Sequence, residues 1–135
     1  HAHKGQFDRG GNPYILHPLH LMSQLLFDKQ LATIAVLHDV MEDSEWKLHH
    51  IVDAGMSSRV TSALILLTHD PLDTYLSYIK KMEHNIDAIR VKRKDLEHNS
   101  DITRLKGIKK NDLERIEKYH KAFTTLGEYK VNLAK

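Results

Sequence analysis

The chain of 135 residues contains no cysteine, which excludes disulfides and thiolate metal sites. No uncharged stretch approaches the ~20 residues a membrane span needs. The start lacks the basic-then-apolar pattern of a signal peptide, so a soluble, cytoplasmic protein is expected. Three prolines and six glycines are too few for a linker or a low-complexity segment. No repeat and no convincing strand is found. Charge of one sign is also missing: 20 basic residues against 18 acidic ones leave a net +2, and the basic residues form no long run. That balance argues against a nucleic-acid partner. The length suits one domain, and the patterning makes it all-α.

What the chain does have is helical periodicity and eleven histidines. A helix is expected from near His17, with Pro18 in its first turn, to about Phe27. A central helix follows over Leu31–Asp43. Ser44 then caps a short helix that stops at Gly55, and Ser57 or Ser58 opens another that Pro71 closes. Tyr75, Tyr78, Ile79 and Met82 mark a fifth helix, and Asn85 to Asn99 a sixth. Asn111 and Glu114 read as the capping box of a seventh, ended by Gly127, with residues 128–135 as a tail. The expected architecture is a bundle of six to seven helices spanning residues 1–127.

The central helix carries the chemistry. Its first two turns are apolar all round, which places it inside the domain. It ends in His38, Asp39, Glu42 and Asp43, spread over roughly 140° of one face. Three carboxylates beside an interior need a counter-charge, and the run itself holds no Lys or Arg. A bound cation is the natural candidate.

In the sixth helix a wheel puts Lys92, Asp95 and Asn99 within roughly 60° of one another, in company with Ala88 and Val91. Arg90, Arg93, Lys94 and Glu97 fall on the opposite, solvent side. A buried Lys92–Asp95 ion pair that merely locks the helix is one reading of that inward stripe. A second carboxylate delivered to a shared metal site is the other.

These residues resemble the HD superfamily of metal-dependent phosphohydrolases, and more narrowly the hydrolase domain of RelA/SpoT-type proteins and their small stand-alone relatives. The matching segments are Ala2-His3-Lys4-Gly5-Gln6, Pro13-Tyr14-Ile15-Leu16-His17-Pro18, Leu37-His38-Asp39-Val40-Met41-Glu42-Asp43, Leu67-Thr68 and Val91 to Asn99. A lone His-Asp dipeptide carries no signal; five ordered segments do. The resemblance implies an HD-domain helical bundle with one divalent metal, usually Mn²⁺, on His3, His38, Asp39 and Asp95. It implies that Glu42 and Asp43 position and deprotonate the attacking water, that Arg9 sits in the loop holding the substrate base, and that Asn99 lies near the phosphates. Lys92 and Arg104 are further phosphate candidates. The implied reaction removes the 3′-pyrophosphate of ppGpp or pppGpp, so the expected partner is a small-molecule nucleotide substrate, with no nucleic acid and no membrane.

The sequence departs from that pattern at three places. Asp8 replaces one member of the usual basic pair in the first loop. Arg93 and Lys94 stand where apolar residues are common, and an extra turn follows Asn99. Two other readings therefore stay open on the residues alone: an HD phosphatase or 5′-nucleotidase acting on another nucleotide, and a catalytically silent nucleotide sensor. By position, His17 reads as a helix cap, Tyr14 and Tyr75 either as packing residues with their polar tips outward or as lining of the substrate cleft, and His49, His50, His69, His84 and His120 as surface residues.

Overall fold

The computed structural model describes all 135 residues, His1–Lys135. Eight α-helical segments follow one another without a strand: α1 (Leu16–Ser23), α2 (Lys29–Leu37), α3 (Val40–Asp43), α4 (Leu48–Asp53), α5 (Ser58–Leu67), α6 (Tyr75–Lys80), α7 (Ile86–Asn99) and α8 (Lys110–Leu133). A 3₁₀ turn, Ile102–Arg104, fills the extra residues after Asn99. No helix is long and apolar enough to cross a membrane. Helix α7 is the hub, packed against α1, α2, α5 and α8. Leu21, Ile34, Leu64, Met82, Ile89, Leu96 and Leu126 are fully buried around it.

The expected central helix is two helices. His38 donates from Nδ1 to the Ala35 carbonyl at 2.7 Å, taking the acceptor that the Asp39 amide would use in an unbroken helix. Asp39 turns out of helical geometry (φ −107°, ψ 2°), and α3 starts afresh at Val40. The break re-aims the His38 and Asp39 side chains toward a common point.

Several helix ends also differ from the sequence reading. Ser44 does not cap α4; its hydroxyl donates back to the Val40 carbonyl, and Lys47 holds the cap position. Helix α8 starts two residues early because Asp112, not Asn111, supplies the cap, accepting from the Lys109 amide at 2.9 Å. It also runs through Gly127 to Leu133, so residues 128–133 are helix rather than tail. A Cβ at Gly127 would stand 3.4 Å from the Arg93 guanidinium, so this glycine serves close packing of α8 on α7 rather than chain termination. Arg93 correspondingly lies under α8, its guanidinium 4.1 Å from the Phe123 ring centroid, and does not face solvent.

A three-residue ion cluster ties α2, α5 and α7 together. Asp28 caps α2 through the Gln30 and Leu31 amides and pairs with Arg59, whose guanidinium also grips Asp87. The Arg59 hydrogen bond, helped by the Leu31 amide, holds the Asp28 carboxyl below its usual range. A depressed folded-state pKa stabilises the fold above the unfolded value and loses that contribution as pH falls through the folded one. The unfolding midpoint of Asp28→Asn is accordingly expected to lie below that of the wild type near neutral pH, with the gap shrinking below about pH 4. Thermal unfolding followed by circular dichroism across pH tests this; a gap independent of pH contradicts it.

Candidate metal centre and active site

Four side chains from three elements meet at the C-terminal end of α2. One ligand atom each of His17, His38, Asp39 and Asp95 lies within 4.8 Å of every other. His17 and Pro18 are buried in the first turns of α1, so the proline sets the imidazole inward without losing a helix hydrogen bond. His17 Nε2 is 2.9 Å from Asp95 Oδ1 and 3.3 Å from His38 Nε2. His38 Nε2 is 2.9 Å from Asp39 Oδ2 and 3.5 Å from Asp95 Oδ1.

The proton positions follow from the outer partners. His38 Nδ1 faces a carbonyl, which can only accept, so Nδ1 carries hydrogen and Nε2 presents a lone pair inward unless the ring is cationic. His17 Nδ1 lies 2.7 Å from His98 Nδ1, and one of the two must donate. Burial, with Arg104 and His17 nearby, pushes His98 down to about 4, so its ring is neutral. Two imidazole Nε2 atoms and two carboxylates thus converge, a set of nitrogen and oxygen donors that could hold a cation in place of the protons they now share.

The charges agree. Burial works against the cationic form of His38, yet Asp39 and Asp95 push it up to about 10: the cluster takes a proton where no larger cation is offered. Burial would raise Asp95, but Lys92 and the two histidines hold it well below the usual carboxylate range. Lys92 donates to Asp95 Oδ2 at 2.6 Å and lies 5.2 Å from the Tyr78 ring centroid. The ion pair read as one option for the stripe therefore exists, and it leaves Asp95 Oδ1 facing the histidines. One ammonium stands against four carboxylates, those of Asp39, Glu42, Asp43 and Asp95.

A cavity of about 560 Å³ opens from this cluster, lined by Asp39, Glu42, Asp43, Lys92, Asp95 and Asn99 among others. Glu42 reaches it from α3, where the backbone N–H of His69 donates to one carboxylate oxygen. Burial and the neighbouring Asp39 raise its pKa above the ordinary value. Asp43 is raised for the same two reasons. Asn99 donates to Asp95 Oδ1 at 2.8 Å. Arg104 bonds the His98 carbonyl, Asn99 Oδ1 and the carboxylate of Asp8, which fastens the first loop to the turn after α7. Gly10 lets the two segments touch, since a Cβ there would meet the Arg104 carbonyl at 2.2 Å.

No protein-family model matches the chain. It is 34% identical over 131 residues, 86% of its length, to the guanosine-3′,5′-bis(diphosphate) 3′-pyrophosphohydrolase of Borreliella burgdorferi. It is 30% identical over 112 residues, 73% of its length, to the protein of the same name from Haemophilus influenzae. The chain is a relative of the RelA/SpoT-type (p)ppGpp hydrolases. A GTP pyrophosphokinase of Myxococcus xanthus is also similar, 27% identical over 114 residues. The chain spans less than a fifth of these relatives, 19%, 16% and 15% of their respective lengths.

In this (p)ppGpp-hydrolase relative His3, expected as a ligand, lies outside the converging set, which contains His17. His3 Nδ1 pairs with Gln6 Oε1 at 2.9 Å, and Gln6 in turn donates to the Asp43 carbonyl. The Ala2–Gln6 segment is thus a strap on the Asp43 backbone. His17 is no cap, because Ile15 occupies that position without a side-chain bond. Tyr14 is turned inward too, donating its hydroxyl to Asp39 Oδ2. His69, read as a surface residue, is half-buried, lines the cavity and stacks 4.5 Å from Tyr78. Arg9 sits on the cavity wall but makes no ion pair within the chain.

In calorimetric Mn²⁺ titrations, His17→Ala is expected to lower affinity by more than roughly 100-fold, and His98→Ala, which frees the His17 ring, by about 10–100-fold. His3→Ala is expected to lower it less than His98→Ala does. Equal losses for His3→Ala and His17→Ala contradict this ligand set.

Proposed function

We propose that the chain is a metal-dependent phosphohydrolase that removes the 3′-pyrophosphate of (p)ppGpp, leaving GDP or GTP. The observation that carries this reading is the placement of Glu42 and Asp43 beside the His17-His38-Asp39-Asp95 set, at the wall of one cavity large enough for a nucleotide. Imidazole and carboxylate donors without thiolate suit Mn²⁺, with Fe²⁺, Mg²⁺ or Zn²⁺ as alternatives. When bound, such an ion lowers the pKa of a water and neutralises charge on the phosphoryl group.

The chain's own residues account for the rest. The His69 amide fixes the Glu42 carboxylate, so its free oxygen can orient water for in-line attack and take its proton. A pKa raised by burial makes Glu42 a better proton acceptor at neutral pH than an ordinary surface carboxylate. Asp43, strapped by Gln6, assists in orienting the water. Water adds to the phosphorus attached to the ribose 3′-oxygen, that P–O bond breaks, and the 3′-oxygen leaves to be protonated as pyrophosphate is released. Lys92, Asn99 and Arg104 line the wall where the phosphate oxygens would sit.

Glu42→Gln is expected to keep Mn²⁺ affinity and lose about 10²–10⁴-fold in kcat. The substrate is tested by incubating the Mn²⁺-loaded protein with ppGpp, nucleoside monophosphates and NADPH. Pyrophosphate from ppGpp is the expected product. Orthophosphate from the other two with ppGpp untouched points to an HD phosphatase, and binding without turnover to a sensor.

A further inference from the structure

Glu42 is a lightly anchored base. It stands on α3, a helix of four residues, and its side chain makes one hydrogen bond within the chain, from the His69 amide. A glutamate held by nothing else keeps most of its rotamer freedom. Whatever fixes that amide therefore decides where the carboxylate oxygens lie. The amide belongs to the connection between Leu67, the last residue of α5, and Tyr75, the first of α6. That connection gains little from apolar packing, since Leu72 in its middle is 94% exposed. The pair between Lys81 and the Asp73 carboxylate is open to solvent at its lysine end, so it contributes little.

The His69 side chain supplies the missing anchor twice. Its Nε2 lies 3.1 Å from the Asp73 carbonyl, which can only accept, so Nε2 donates and closes the loop across four residues. Its ring stacks on that of Tyr78, with centroids 4.5 Å apart and 28° between the planes. Tyr78 is a firm support: the residue is buried, and its hydroxyl donates to the Leu67 carbonyl at 2.6 Å. The loop is thus closed at its start by Leu67 and Tyr78 and at its end by His69 and Asp73. The Lys92 ammonium lies 5.2 Å from the same Tyr78 ring and donates to Asp95, so the stack is braced against the helix that carries the Asp95 carboxylate.

We infer that His69 is a positioning residue: its imidazole, held between the Asp73 carbonyl and the Tyr78 ring, fixes the backbone amide that orients Glu42. This rests on the reading of Glu42 as the base in the pyrophosphohydrolase reaction, and it adds the side chain that sets that base's geometry. A shift of the amide by about an ångström releases the carboxylate, and a misplacement of that size costs about a hundredfold in rate. None of His17, His38, Asp39 and Asp95 hydrogen-bonds to His69, so ion binding is indifferent to it. The role therefore separates turnover from metal affinity.

The test uses the Mn²⁺-loaded full chain with ppGpp. His69→Ala is expected to lower kcat by about 10–100-fold, while KM and Mn²⁺ affinity stay within about twofold of the wild type. His69→Gln, which restores a donor toward Asp73, and His69→Phe, which restores the stack on Tyr78, are each expected to recover part of the loss. In a Glu42→Gln background His69→Ala is expected to cost nothing further, because the imidazole acts only through that carboxylate. A full kcat in His69→Ala, or an additive loss in the double variant, overturns the inference. So does a rise in KM alone, which marks a substrate contact. Independently of turnover, amide hydrogen exchange at residue 69, corrected for intrinsic rate, is expected to be about tenfold or more faster in His69→Ala than in the wild type. Unchanged exchange overturns the inference whatever the substrate. A wild type inert toward ppGpp, with the exchange difference present, upholds the positioning role and contradicts the pyrophosphohydrolase reading instead.

Discussion

The structure depends on a concentration of negative charge and lone pairs that the fold alone leaves short of positive charge. Asp39 and Asp95 are held against two imidazole nitrogens, with Glu42 and Asp43 one turn further on. Only Lys92 supplies a permanent positive charge in contact with the cluster. Leaving such groups uncompensated away from water would cost far more than a domain's net stability. His38 takes up a proton well above its ordinary pKa, which shows how strongly the cluster draws a cation. A divalent ion would displace that proton and answer the same need, so ion uptake and proton release are coupled.

The surrounding elements serve that point. The helix break at His38-Asp39 aims two donors, α1 delivers a third, and α7 brings the fourth together with its ammonium. Around them lies a shell of orienting bonds: Ala35 carbonyl to His38, His98 to His17, Tyr14 to Asp39, Asn99 to Asp95. The Ala2–Gln6 strap and the His69 amide do the same for Asp43 and Glu42. Groups this constrained lose little freedom when the site operates, which is the physical sense in which it is preorganised.

Much of this was legible in the sequence where a single helix decided it. The apolar run before His38 and the inward Lys92-Asp95-Asn99 stripe follow from local periodicity, and the structure has them. What periodicity could not supply was which distant residue arrives at the cluster. His3 and His17 are both histidines in matching segments, and only the tertiary path of α1 separates the ligand position from the strap. Pro18 was the available signal, since it fixes His17 in a helix's first turn with its side chain free to face the core. The same limit explains Arg93 and Gly127. A wheel knows one helix, and neither residue's role exists until α8 lies across α7.

Relatedness to (p)ppGpp hydrolases and a convergent His/Asp set point to the same chemistry from independent directions. Asp8, an acid in a loop where that family commonly places a base, is absorbed by Arg104 and two backbone amides rather than left facing a phosphate. The departure therefore lies on the cavity wall and outside the His/Asp cluster. If His17, His38, Asp39 and Asp95 share one divalent ion, anomalous diffraction from crystals grown with Mn²⁺ will show a single strong peak within bonding distance of all four side chains, with His3 outside its coordination sphere. A peak elsewhere, or Asp95 turned away from the histidines, would contradict it.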